Sequence, residues 1–234
     1  MSELNEHLLQ NPTPDLLIWA YANAVFPMAD PDTNRIEWFR PHRRGIIPIE
    51  MFHVPKSLAR VVRSGRFDVR CDAAFEEVMR QCASPRGLDN ESWINERSIE
   101  AYVNLHDAGH AHSVEAYRHG KLVGGLYGVH LGAAFFGESM FVRPEQGGTD
   151  ASKVCLVHLV NHLHRRGFTL LDTQFWNPHL TQFGCEEIDA EAYDNQIRAY
   201  LDGDYYTYHM PTSPRDLDPP QVRSVLHLEA TATE

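Results

Sequence analysis

Apolar positions recur at helical spacing in some stretches of the chain and alternate with polar ones in others, and the switches of period predict the order of elements. Thr13, Pro14 and Asp15 form a helix start, because proline tolerates the first helical position and aspartate complements the positive end of the dipole; a helix to about Ala24 follows. Phe26 to Asn34 is rich in Pro and Asp and reads as a loop, while Ile36 to Phe39 and Gly45 to Pro48 read as short strands. From Pro55 a helix carries Leu58, Val61 and Val62 on one side and basic residues on the other, stopping near Ser64 and Gly65. Phe67, Val69 and Cys71 alternate as in a strand. Asp72 then caps a helix burying Phe75, Val78, Met79 and Cys82, and Asn95 caps another burying Ile99, Tyr102 and Leu105, ended by Gly109.

Three extended segments come next, Ala111 to Arg118, Lys121 to Leu131 and Ala133 to Phe141, with His119 and Gly120 at a hairpin turn. Asp150 caps a helix from Ala151 to Arg166, closed by Gly167, before a strand from Thr169 to Gln174. A crossover helix of that length makes the strands on either side of it parallel neighbours. Asn177 and Pro178 start a short helix, a last strand runs near Cys185 to Ile188, and a helix around Ala192 to Leu201 precedes a Pro-containing tail. The fold class is α+β with a mixed sheet. Residues 1–54 form a small N-terminal α/β domain, 55–211 a larger one and 212–234 the tail.

Composition narrows the function. No run approaches the roughly 18 uninterrupted apolar residues of a membrane span, and the acidic start MSELNEHLLQ lacks the pattern of a secretory signal, so a cytoplasmic protein with no membrane partner is expected. Cys71, Cys82, Cys155 and Cys185 lie far apart without CxxC spacing and read as reduced, buried residues. The net charge of −11 argues against bulk binding of nucleic acid, DNA included. Locally the balance reverses: from Arg35 to Arg70 nine basic residues face three acids, a segment able to meet a polyanion or to form a solvated helix face.

Three groups of residues carry candidate chemistry. Leu156, Leu159 and Leu163 share one face of the crossover helix; with Leu171, Phe135 and Leu126 they form either core or the wall of an apolar cavity. Asp172 and Gln174, two apart on a strand, share a face. They are suited to receive an amine, the carboxylate attracting it and the amide positioning it, or the carboxylate caps backbone amides at the strand end. Glu138 is a second acid inside an apolar strand. His110 with His112, and His158 with His162, have spacings seen at metals, but no third ligand follows, so hydrogen-bonded histidines and no metal are expected.

The segments FPM (Phe26 to Met28), EWFRPHRRGIIP (Glu37 to Pro48), HVPKSLAR (His53 to Arg60), GHAHSVEAY (Gly109 to Tyr117), LVGGLYGVHLGAAFFGESMF (Leu122 to Phe141) and LLDTQF (Leu170 to Phe175), in that order, resemble the leucyl/phenylalanyl-tRNA–protein transferase family. The resemblance implies a small N-terminal domain joined to a domain of the N-acetyltransferase (GNAT) fold. It implies transfer of Leu or Phe, and less well Met, from Leu-tRNA or Phe-tRNA to proteins with N-terminal Arg or Lys, marking them for N-degron degradation without any cofactor. By position it places the aminoacyl pocket at Leu126, Phe135, Leu156, Leu159, Leu163 and Leu171, and the catalytic group at Asp172, Gln174 and Glu138, with Asp172 drawing the proton from the amine. Trp93, Glu138 and Asn177 would hold the acceptor peptide. Met28 and Trp38 would meet the tRNA 3′ end, and Arg43, Arg44, Lys56, Arg60 and Arg63 its stem. Two alternatives are an acyl-CoA-dependent N-acetyltransferase on the same fold, for which RPEQGGTDASK has the wrong phosphate-loop spacing, and an inactive tRNA- or N-degron-binding module.

Overall fold

The computed structural model describes residues 3–84 and 92–201, so the tail expected from residue 212 lies outside it. An unanticipated helix, α1 (Glu3–Gln10), precedes α2 (Pro14–Ala22), whose Thr13 cap accepts the Leu16 N–H as its sequence foretold. The stretch expected to be a loop instead begins with a strand, β1 (Phe26–Ala29), paired antiparallel with β2 (Ile36–Phe39). The proline misleads here: a two-stranded ribbon has an open edge where its missing N–H costs nothing. The turn that does follow closes through Asp30 N–H to Arg35 O, with Asn34 at φ +55°.

The remaining strands form one seven-stranded sheet: β3 (Arg43–Pro48), β4 (Asp68–Cys71), β5 (Ala111–Arg118), β6 (Lys121–Leu131), β7 (Ala134–Val142), β8 (Leu170–Gln174) and β9 (Glu186–Asp189). Their order is β4-β5-β6-β7-β8-β3-β9, and every neighbouring pair is antiparallel except β7 with β8. This is the mixed α+β sheet expected, including the parallel pair. His119 and Gly120 both have positive φ, the requirement of the tight β5–β6 turn. Although β3 lies within the first 54 residues, it pairs between β8 and β9 in the large sheet.

Helices cover both faces. On one, α3 (Lys56–Arg63) and α6 (Ala151–Arg165) bury Leu58, Leu156, Leu159 and Leu163 against Ile47, Leu126, Phe135 and Leu171. On the other, α2, α4 (Phe75–Ala83), α5 (Glu96–Asp107) and α7 (Ala190–Leu201) enclose Tyr21, Val78, Tyr102, Tyr127, Phe136 and Tyr193. The four cysteines are buried. No helix among the described residues is long and apolar enough to cross a membrane.

The feature that makes a site is the β7–β8 pair. The two strands are bonded only from Ala134 and Leu170 to Phe136 and Asp172, after which they diverge. Both carry an extra residue at the point of divergence. Glu138 stands unpaired between the Gly137–Gly128 and Ser139–Tyr127 partners, and Thr173 between the Asp172–Ile46 and Gln174–Gly45 partners. Such bulges bend a strand and re-aim its side chains.

Candidate active site

A cavity of about 580 Å³ opens between the diverging strands. Its apolar wall comes from the α6 side of the sheet, with Leu126, Met140, Leu156, Leu159 and Leu171; its polar wall comes from Glu138, Gln174 and Asn177, and Phe26, Met28, Trp93, Phe175 and Trp176 stand around them. Because the strands part, the cavity passes through the sheet and joins residues that a continuous sheet would keep on opposite faces.

Not all of the predicted apolar wall reaches it. Phe135 and Leu163 lie wholly buried in the same apolar cluster but do not line the cavity. Phe135 belongs to the part of β7 still bonded to β8, and Leu163 sits a turn further along α6, against that closed part. Both are core rather than wall.

Glu138 is half-buried and lines the cavity. Its Oε1 accepts hydrogen bonds from Tyr21 Oη (2.7 Å) and Gln174 Nε2 (3.0 Å), and Oε2 accepts one from Tyr102 Oη at 3.4 Å. Burial pushes the Glu138 carboxyl up to about 7, the nearby Asp172 charge pushes the same way, and the tyrosine hydrogen bonds and Arg44 only partly offset them. The result is a carboxyl poised to change charge near neutral pH.

Asp172 is held quite differently. It is 0% exposed and does not line the cavity. Arg44 grips it in a fork, with Nε 3.0 and 2.9 Å from the two oxygens and a terminal nitrogen 2.7 Å from Oδ2. Tyr193 donates its hydroxyl to Oδ2, and the backbone N–H of Gln174 reaches Oδ1 at 2.6 Å. That last bond holds Gln174 at φ +58°, a conformation an L residue adopts only under constraint. Asp172 therefore caps the backbone at the strand end, one of the two roles open to it from sequence, and through that backbone aims the Gln174 side chain at Glu138.

Arg44 was expected against a tRNA stem. At 2% exposure it cannot meet one: its guanidinium lies 4.7 Å from the ring centres of both Phe26 and Tyr193 and donates to Ala24 O. Burial works against its charge, but Asp172, Tyr193 and Glu138 outweigh that, and its pKa is raised. The Arg43–Arg44 pair held the clue, since successive strand residues face opposite ways and one of the two must point inward. Arg43 is exposed and paired with Glu187 at 2.5 Å, while Lys56, Arg60 and Arg63 are exposed on α3.

Trp93, Asn177 and Met28 line the cavity, but Trp38 does not. Trp38 pairs with Pro27, so its side chain leaves the ribbon on the side opposite Met28, and its indole N–H is donated to Leu9 O. The tyrosines that hold the two carboxylates, Tyr21, Tyr102 and Tyr193, had no sequence signal, because an aromatic residue on a helix reads as core. Among the histidines, tertiary contact supplies what spacing lacked: donor atoms of Asp72, His106 and His112 lie within 4.8 Å of one another. His112 spends its two nitrogens on Asp72 (2.8 Å) and His130 (3.0 Å).

The sequence model of the Leucyl/phenylalanyl-tRNA protein transferase family matches residues 46–198, and that of the family's N-terminal domain matches residues 10–42. A relative from Paramagnetospirillum magneticum, named leucyl/phenylalanyl-tRNA–protein transferase, is 58% identical over 186 residues, 79% of this chain and 87% of that protein. Among solved structures, that of L-PGS from Bacillus licheniformis covers 90% of this chain and 67% of its own at 10% identity and a TM-score of 0.37, too distant a likeness to carry any argument. Matched in both of its parts and over most of its described length, the chain belongs to the leucyl/phenylalanyl-tRNA–protein transferase family.

Proposed function

We propose that this chain transfers Leu or Phe, and less well Met, from aminoacyl-tRNA to the α-amine of cytosolic proteins that begin with Arg or Lys, committing them to N-degron degradation. The observation that carries the reading is the joining, in one cavity, of the leucine wall to the Glu138–Gln174 pair. The apolar wall receives a Leu or Phe side chain and rejects charged ones, which would lose their hydration. Discrimination among apolar side chains is modest, at ~1–3 kcal/mol per methylene. The parallel β7–α6–β8 crossover and the divergence of its strands support an N-acetyltransferase-type domain. A boundary near residue 54 fits the two-stranded β1–β2 ribbon as a separate unit, with β3 reaching across into the large sheet.

The aminoacyl ester is already activated. The α-amine nitrogen attacks the ester carbonyl carbon, the new C–N bond forms as the C–O bond to the adenosine 3′-oxygen breaks, and a proton passes from the nitrogen to that leaving oxygen. An α-ammonium, with a reference pKa of ~7.7–8.0, must first lose a proton. In this reading Glu138 is the acceptor rather than Asp172: it lines the cavity with a pKa of about 7, whereas Asp172 is walled off and ion-paired. The Gln174 amide, tethered through Nε2 to Glu138, positions the amine with its oxygen. Trp93 and Asn177 take the basic side chain of the acceptor, the indole by its face. Proximity of ester and amine supplies most of the acceleration.

A single-turnover assay with labelled Leu-tRNA and a peptide beginning with Arg is expected to yield leucyl-peptide with no response to coenzyme A. Acetylation of the peptide from acetyl-CoA, or binding of both substrates without transfer, would replace this reading with one of the two alternatives.

A further inference from the structure

The cavity also contains a cation that the transfer chemistry leaves unused. Arg35, Arg40, Arg43, Arg44, Arg70 and Arg80 each have a carboxylate within ion-pair distance. Arg143, half-buried where β7 ends, lines both the cavity and the groove beside it, and no carboxylate among the described residues forms an ion pair with it. Its backbone is fixed at three points, donating to Val123 O and accepting from the N–H groups of Gln146 and Gly148. Its side chain donates from Nε (2.9 Å) and from a terminal nitrogen to the same oxygen, Oε1 of Gln81, and lies 5.9 Å from the ring centre of Phe141. A guanidinium has five N–H donors. A neutral amide that takes two of them leaves three, together with the whole charge.

The start of α6 adds to that charge, while Glu77 and Glu145 stand along the outer groove. The hydrogen bonds Gly148 N–H to Arg143 O and Ala151 N–H to Gly148 O carry the chain from Arg143 into the first turn of α6, so the positive end of a 15-residue helix lies beside the arginine. Ser152 in that turn lines the cavity, and its hydroxyl, open to that space, makes no hydrogen bond with the described residues. A guanidinium without a counter-charge and a hydroxyl without a protein partner, both lining the cavity, suit an anion of the ligand.

Resting on the transfer reading, we propose that Arg143, with Ser152 and the start of α6, binds the phosphodiester on the 5′ side of the terminal adenosine of aminoacyl-tRNA. Glu138 and Arg143 are separated by about 16 Å of extended strand, room for ester, ribose and phosphate in a row. The acceptor contributes a basic end that Arg143 repels, so the anion comes from the tRNA. Fork-like pairing of a guanidinium with phosphate oxygens sets the position of the ribose and hence of the ester.

The test compares kcat/KM for 3′-O-leucyl-adenosine and for the same compound carrying a 5′-phosphate, with an Arg-starting peptide as acceptor. The wild-type enzyme is expected to favour the phosphorylated substrate about tenfold, the worth of one or two charge-assisted hydrogen bonds. In Arg143→Gln that ratio falls to near one, and in Arg143→Lys, which keeps the charge but not the fork, it falls part of the way. A ratio that Arg143→Gln leaves intact, or that is already one in the wild type, overturns the assignment. Failure of the wild type to transfer from these substrates and from Leu-tRNA alike overturns the transfer reading itself, a result distinct from loss of the ratio.

Discussion

Asp172, fully buried, and Glu138, half-buried against the cavity, are neighbouring carboxylates at the centre of one site, yet their surroundings make them opposite kinds of group. Asp172 is met by a full positive charge, Arg44, and by two further donors. Glu138, reached by the neutral Tyr21, Tyr102 and Gln174, has no cation in hydrogen-bond contact among the described residues, and burial lifts its pKa to about 7. Burial alone does not make a reactive acid. What decides is whether the fold supplies the counter-charge, in which case the group is a fixture, or leaves it to a substrate, in which case the group can bind a cation and take a proton.

Breaking the first half of that contrast has the largest expected effect. Asp172→Ala leaves Arg44 charged, buried and unpaired, which costs about 3–5 kcal/mol of stability by urea unfolding. The double change Asp172→Leu with Arg44→Met, which removes both charges, regains a large part of the loss. An Asp172→Ala protein as stable as the wild type would mean that Arg44 can escape to solvent and that the ion pair is not what separates the two acids.

The second half sharpens through pH. A carboxyl raised from 4.5 to about 7 holds its proton more tightly folded than unfolded, so the stability it contributes is fully present below pH 4.5 and lost as pH rises through 7. For Glu138 the loss is on the order of 2–3 kcal/mol. Glu115, buried beneath α4 and accepting from Ser113 and the Ala73 and Ala74 N–H groups, is also raised to about 7 and titrates in the same window. Urea midpoints of wild type and Glu138→Gln at pH 5 and pH 8 therefore isolate Glu138: the Glu115 part is common to both proteins, and only the wild type should show the additional fall. Equal pH dependence in the two would show that Glu138 is ionised throughout.

The smallest effect comes from the same contrast drawn on α6, between a side chain facing the cavity and one facing solid protein. Leu159→Ala enlarges the cavity and should raise the ratio of Phe to Leu transfer about tenfold, while Leu163→Ala lowers stability and leaves the ratio alone. If both shift the ratio equally, the wall extends deeper than the cavity seen here.

Much of this molecule is legible in its sequence. Periodicity placed α2 to α7 and the long strands, because side chains three or four apart on a helix and two apart on a strand share a face whatever packs on them. Glycines placed the turns, and the element order around α6 required the parallel β7–β8 pair. Thr13 and Asn95 cap α2 and α5 as read, whereas Asp72 accepts from the Ser113 N–H instead of capping α4, and Asp150 makes no capping hydrogen bond at α6. The resemblance in motifs located Glu138 and the 172–174 strand. Where local rules failed, they failed for local reasons: Pro27 marked a loop where an open edge tolerates it, and Phe135 and Leu163 fit the pocket pattern as well as their neighbours did.

Tertiary structure alone decided which of these residues meet in the cavity. The point at which β7 leaves β8 separates pocket wall from core. Two bulges turn Glu138 and Gln174 toward each other. The partners Arg44, Tyr21, Tyr102 and Tyr193 lie between 21 and 128 residues away along the chain from the acids they hold. Charge balance in a buried place is a sum over such distant neighbours, and no window of sequence contains it.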